Sequence, residues 1–206
     1  NDKKLFFVLP DLNYGGAQKT FCNIINYFPK IHKNNEFYLI SINKSTKVYH
    51  LDKKIKLINL NSSRTLYSFF KLIILILKIK PNYIFSTTIH INILCLITKI
   101  LTFNKNSKFI IRESNPSFYR NDISVFIKFA AKLFYKFSDH IICLSEFSKK
   151  NILDNTKISE SKISTIYNPI NINEIIKLSK EKNNINISEK QLNLIFVGRL
   201  STQKNI

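Results

Sequence analysis

The sequence predicts an α/β protein built on a doubly wound, Rossmann-like parallel sheet. Apolar strand-like runs and helix-period segments alternate about six times along the chain, the pattern of repeated βαβ units. The strands read as continuous apolar runs, such as Leu5-Phe6-Phe7-Val8-Leu9, as expected where helices cover both faces of a sheet. Polar motifs recur just after the strands, where ligands gather in such folds: Gly15-Gly16, Ser86-Thr87-Thr88, Arg112-Glu113, Ser145-Glu146 and Asn168-Pro169.

Each element has its own signal. The opening run leads through Pro10-Asp11-Leu12-Asn13-Tyr14 to Gly15-Gly16 and a helix. That helix places Phe21, Ile24, Ile25 and Phe28 at helical spacing and is expected to end at Pro29. Residues 36–42 and 55–60 read as strands. Residues 64–80 form a helix that is apolar almost all round and is therefore expected to be buried, with Pro81 stopping it. Next come a strand over 83–86, a helix over 89–103 and a strand over 108–112. A helix over 122–137, a strand over 139–144, a short helix over 146–153 and a strand over 164–167 complete the series.

The chain has only three glycines in 206 residues, and all three follow strand-like runs: Gly15, Gly16 and Gly198. Glycine at such junctions permits positive φ and close backbone approach to a ligand. A loop feeding a helix N-terminus also offers free N–H groups and a positive dipole end, which suits phosphate. The pair lacks the G-x-G-x-x-G spacing of a dinucleotide site, and an ordinary tight turn remains the alternative.

The formal net charge of +19 comes from 32 Lys and Arg against 13 Asp and Glu. It favours polyanionic partners, whether an anionic membrane surface, nucleic acid or phosphorylated substrates. Lysine and asparagine are abundant throughout, so charge alone is discounted, and no recognition motif supports nucleic acid. Cys22, Cys95 and Cys143 are odd in number, far apart and set in apolar segments, as buried thiols in a reducing compartment would be. They form no metal-ligand spacing with His32, His50, His90 and His140, and no metal is expected. No signal peptide is visible, and the longest apolar run, residues 72–77, is too short to span a bilayer. The chain contains no Met, so Asn1 is not expected to be the native start.

Residues 180–190 turn polar and aperiodic, as a linker does, and Leu192 to Leu200 reads as a new strand. The expected organisation is a Rossmann-like domain over 1–182, a linker over 183–190 and the start of a second domain over 191–206.

The ordered set of motifs carries a resemblance. A strand followed by P-x-L-x-x-G-G-A, Ser145 after a strand, Tyr167-Asn168-Pro169, and Phe196-Val197-Gly198-Arg199-Leu200 with Lys204 resemble the family 4 glycosyltransferases of GT-B fold. These are retaining enzymes that use nucleotide-activated sugars. The resemblance covers essentially the whole chain and implies the N-terminal half of a GT-B pair of Rossmann-like domains. It implies that the first domain binds the acceptor and that the absent second domain binds most of the donor.

On that resemblance Gly15 and Gly16 line the cleft near the donor phosphates, and Arg199 and Lys204 neutralise the departing diphosphate. Fixed cations at that point stabilise the charge that develops as the sugar–phosphate bond breaks. Where many members carry a histidine near the reacting centre, this chain has Arg112-Glu113, candidate catalytic residues. Arg112 could grip an acceptor phosphate, or the two could form a structural salt bridge.

The implied partners are a nucleotide sugar, a saccharide or lipid-linked acceptor and an anionic membrane surface, with no nucleic acid and no cofactor. The implied setting is cytoplasmic, peripheral at the inner membrane face, in cell-surface polysaccharide or lipopolysaccharide synthesis. The alternatives are another GT-B enzyme, such as a nucleotide-sugar epimerase, and a non-catalytic basic α/β module that binds membrane. Residues 1–206 alone are expected to be catalytically silent.

Overall fold

The computed structural model describes residues 2–13, 15–44, 49–61, 65–181, 192 and 194–198. Among them seven strands form one sheet: β1 (Lys4–Leu9), β2 (Glu36–Ser41), β3 (Ile55–Asn59), β4 (Tyr83–Thr87), β5 (Lys108–Glu113), β6 (His140–Cys143) and β7 (Ile163–Thr165). The order is β3-β2-β1-β4-β5-β6-β7 and every pairing is parallel. The helices are α1 (Gly16–Ile31), α2 (Thr65–Ile79), α3 (Ile89–Leu101), α4 (Val125–Phe134), α5 (Glu146–Asn155) and α6 (Ile172–Ser179).

The strand order and the right-handedness of βαβ crossovers decide where the helices lie. Progress from β1 to β2 puts α1 on one face. The return from β3 to β4 and the steps to β7 run the other way and put α2 to α5 on the opposite face. Two cores result. Phe7, Leu9, Phe37 and Leu39 pack with Phe21, Cys22 and Ile25 of α1. Phe6, Val8, Ile84 and Ile111 pack with Leu72 and Ile76 of α2, Leu94 of α3, Ala131 of α4 and Ile152 of α5. Alternate residues of β1 thus serve different cores, which is why its apolar run is unbroken. Direction reverses at β1, so the mouth between the carboxyl ends of β1 and β4 is the topological switch point.

Several boundaries differ from expectation. Helix α1 passes through Pro29 to Ile31, and the His32 amide still donates to the Phe28 carbonyl at 2.9 Å. The helix α2, expected to be buried, is covered on one side only: Leu72 and Ile76 are in the core while Tyr67, Phe70, Ile74 and Leu77 are exposed. Hydrophobicity all round fixes helicity here but not burial. Residues 122–124 precede α4 rather than belonging to it. Asp122 is held by the Arg120 guanidinium, and the Ser124 carbonyl accepts from the Ile127 amide at 3.0 Å. The three cysteines are all buried thiols, and burial pushes Cys22 up to about 11 and Cys95 and Cys143 to about 12.

The chain divides into two compact units, Asn1–Pro169 and Ile170–Ile206. Within the second, α6 is a short helix with Ile172, Ile175 and Ile176 exposed. The expected linker over 183–190 lies outside the described residues. Leu192 and residues 194–198 carry no strand pairing, so the expected strand there is not formed among the described residues.

Candidate functional site

Because every strand is parallel, the polar segments following them share one edge of the sheet. After β1, the Gly15 amide donates to the Tyr49 hydroxyl at 2.8 Å, and that hydroxyl donates to the Gly15 carbonyl at 3.0 Å. The Gln18 side chain folds back onto Asp11 at 3.2 Å. Gly15 is the N-cap of α1; among the described residues no side chain caps this helix, and its first turn holds no acidic residue. The first amides of α1 therefore present an uncompensated positive dipole end beside the switch point.

The glycines do not work through positive φ. Gly15 is extended, with φ 179°, and no described glycine has φ in the left-handed region. The expectation of positive φ is corrected. What Gly16 supplies is space, since a Cβ there would meet nothing within 4 Å. Positive φ at this edge falls instead on Asn61, after β3, and on Thr88, at the mouth of β4, with φ 47° and 72°. A β-branched residue in that region is a backbone outlier of the kind held in place by its surroundings.

Arg112 and Glu113 end β5, and strand alternation sends them to opposite faces. Arg112 is 5% exposed, and its guanidinium donates to Thr87 Oγ1 at 2.9 Å and to Asn168 Oδ1 at 2.6 Å. No ion pair joins it to a carboxylate among the described residues. Burial lowers its affinity for a proton, and the Glu113 charge partly offsets this. A guanidinium still stays protonated. Arg112 lines a cavity of about 300 Å³ whose walls include Phe7, Phe21, Phe85, Ile110, Ile142 and Leu144, with Asn168 and Pro169 at its rim.

Glu113, expected beside Arg112 at the reacting centre, is 2% exposed on the α4 side of the sheet. It accepts hydrogen bonds from Ser117 Oγ and, at 2.6 Å, from the Tyr135 hydroxyl. Burial raises its carboxyl to about 7, against the lowering effect of those hydroxyls and of the Arg120 and Arg112 charges. Two neutral donors do not repay the desolvation of a carboxylate.

Asn92 links this buried group to the edge. Its Oδ1 accepts from Ser86 Oγ at 2.8 Å, and its Nδ2 donates to the Arg112 carbonyl at 3.1 Å and to the Tyr135 hydroxyl at 3.5 Å. One side chain on α3 therefore fixes the carboxyl ends of both β4 and β5. Sequence reading missed Asn92, Ser117 and Tyr135. The available signal was an asparagine inside the apolar run Ile91-Asn92-Ile93, a costly placement unless every polar atom finds a partner.

Ser145 has a local task, capping α5 by accepting from the Ser148 amide at 3.1 Å, with Glu146 in the first turn. His140 shares a hydrogen bond with Ser164 at 2.8 Å across β6 and β7, and His90 is exposed. Among the described residues no group of three or more His, Cys, Asp or Glu side chains is placed to hold a metal ion. Arg199 and Lys204 lie outside the described residues.

Known proteins similar to this chain share its family and its fold. The model of Glycosyltransferase Family 4 matches residues 14–174. An uncharacterized glycosyltransferase of Methanocaldococcus jannaschii is 28% identical over 204 residues, covering 92% of this chain and 50% of that protein. Anabaena HepE in complex with UDP has the same fold at TM-score 0.61 and 14% identity, covering 82% of this chain and 45% of its own. UDP-N-acetylglucosamine 2-epimerase from Rickettsia bellii superposes at TM-score 0.63 and 14% identity, covering 88% and 50%. The chain spans about half the length of these relatives. A match running from the Gly15-Gly16 loop past Asn168-Pro169 takes in β2 to β7 with the segments that follow them, and the chain belongs to Glycosyltransferase Family 4.

Proposed function

We propose that this chain is the acceptor-side half of a retaining glycosyltransferase. In this reading it moves a hexose from a nucleotide donor to a saccharide or lipid-linked acceptor of a cell-surface polysaccharide or lipopolysaccharide. The work is done in the cytoplasm at the inner membrane face, with no metal or other cofactor. The observation that carries the reading is Arg112: a buried cation at the carboxyl edge of the sheet, hydrogen-bonded among the described residues to neutral oxygens only and lining an apolar cavity. A guanidinium so placed is ready for an anion, since Thr87 and Asn168 orient it without neutralising it.

Family membership supports sugar transfer, and the UDP bound by HepE supports a nucleotide sugar as donor. In this reading Gly15 and Gly16 leave room for the donor phosphates at the α1 N-terminus. Arg199 and Lys204 meet the departing diphosphate. Arg112 holds an acceptor or donor anion, and Glu113 acts from behind β5 by fixing its carboxyl end.

The test uses the protein carrying this chain at the length of its relatives. Radiolabelled nucleotide sugars are offered with membrane extract, and the anomeric configuration of the product is read by NMR. Transfer with retention, reduced about 10²-fold in kcat/KM by Arg112→Ala, supports the proposal. Transfer with inversion, no transfer from any nucleotide sugar, or full activity in Arg112→Ala overturns it.

A further inference from the structure

Helix α4 presents two unlike sides. Ala131 is buried, and Ile127, Ala130 and Phe134 pack against the core with Tyr135 of the following 3-10 turn. That side is complete. The other side is apolar as well: Val125 is 78% exposed, Phe126 84% and Phe129 67%, and Leu133 and Phe137 continue the stripe. Spacings of three and four residues put Phe126, Phe129 and Leu133 along one line of the helix, and Phe137 of the following 3-10 turn extends it. Lys132 and Lys136 are exposed beside them and Lys128 is half-buried, and the Lys136 ammonium lies 5.1 Å from the centroid of the Phe137 ring. An ordinary solvated helix face carries polar residues where this one carries phenylalanines.

We infer that this outer face of α4 is the surface by which the protein lies on an anionic lipid bilayer. The rings would enter the boundary between headgroups and acyl chains, and the lysines would reach up along them to the phosphates. Local charge selects this occupant over a second copy of the chain, because self-association through this face would bring Lys128, Lys132 and Lys136 against like charges, whereas anionic headgroups neutralise them. Among the described residues no helix is long and apolar enough to cross a membrane, so the contact is with the surface. The inference deepens the membrane-face part of the proposed function.

Its test needs no sugar transfer, so failure of one reading leaves the other standing. The full chain is co-sedimented with vesicles of phosphatidylcholine alone and with phosphatidylglycerol added, across a salt series. The triple variant Lys128→Gln/Lys132→Gln/Lys136→Gln should bind anionic vesicles about 10²-fold more weakly at low salt, roughly fivefold per lysine. Phe126→Ser/Phe129→Ser should lose about tenfold or more per ring at every salt concentration. Lys33→Gln/Lys53→Gln/Lys54→Gln removes equal charge from exposed sites on other elements and should bind like wild type. Circular dichroism melts confirm that each variant is folded, as substitutions at exposed positions allow. Absence of wild-type binding, equal loss in the control triple, unchanged binding in both α4 variants, or self-association through α4 in the ultracentrifuge overturns the inference.

Discussion

Replacing Glu113 by Gln should alter how stability depends on pH in a calculable way. The carboxyl is buried, and its folded-state pKa is about 7 against an ordinary 4.5. A carboxyl raised on folding binds more protons folded than unfolded. Its contribution is therefore full below the unfolded value and lost as pH rises toward the folded one. A rise of that size corresponds to about 3 kcal/mol, lost between about pH 4.5 and 7 and constant above. Glutamine has the same shape but does not titrate. It keeps one acceptor for Tyr135 or Ser117 and misplaces one amide donor, which costs about 1–2 kcal/mol at every pH. The absolute difference between the proteins thus mixes two effects, but its change with pH isolates one. Urea unfolding of both proteins at closely spaced pH values should show the variant gaining about 3 kcal/mol on wild type between about pH 4.5 and 7.5. Groups with lowered pKa values, such as Asp122, Asp139 and Glu160, titrate in both proteins and cancel. Parallel stability curves would refute the idea that burial raises the Glu113 carboxyl to about 7 in the folded protein.

Two further outcomes concern the ligand side. Gly16→Val should leave unfolding within about 1 kcal/mol of wild type, because a Cβ meets nothing there and φ is not positive, yet it should weaken donor binding measured by calorimetry. Unaltered binding would make the loop a simple turn. In the protein at the length of its relatives, Arg199→Ala and Lys204→Ala should each lower kcat/KM by roughly 10²-fold with folding intact. Near-normal kinetics in both would remove the diphosphate role.

The parallel sheet was legible because a strand buried on both faces has nowhere to put a polar side chain. The runs Leu5 to Leu9 and Tyr83 to Ser86 therefore stand out, and the punctuation at Pro81 and Asn168-Pro169 bounds them. Burial of individual helices was less legible. Both α2 and α4 are apolar on more faces than the sheet can cover, and periodicity alone does not say which side the sheet takes. At the site, ending β5 at residue 112 kept Arg112 and Glu113 together as a pair; the strand runs one residue further, and alternation then parts them. Ser117 is near Glu113 in sequence, but the other partners come from far along the chain: Asn168 for the Arg112 guanidinium, Tyr135 for Glu113, and Asn92 for the Arg112 carbonyl and the Tyr135 hydroxyl. Only the folded crossovers bring them together.

The position of β1 has a consequence for how the chain reaches its fold. Its neighbour on one side is β2, close in sequence, but on the other it is β4, with the Lys4 amide bonded to Asn82 across 78 residues. Loop closure of that length must precede the rewarding contacts, which makes folding slow. During synthesis the Phe6–Val8 segment must wait, sticky on both faces, until two more strands and α2 have emerged and β4 arrives beside it. A strand paired on both edges in the finished sheet thus spends part of synthesis with one edge open, which is when misassembly is most easily seeded.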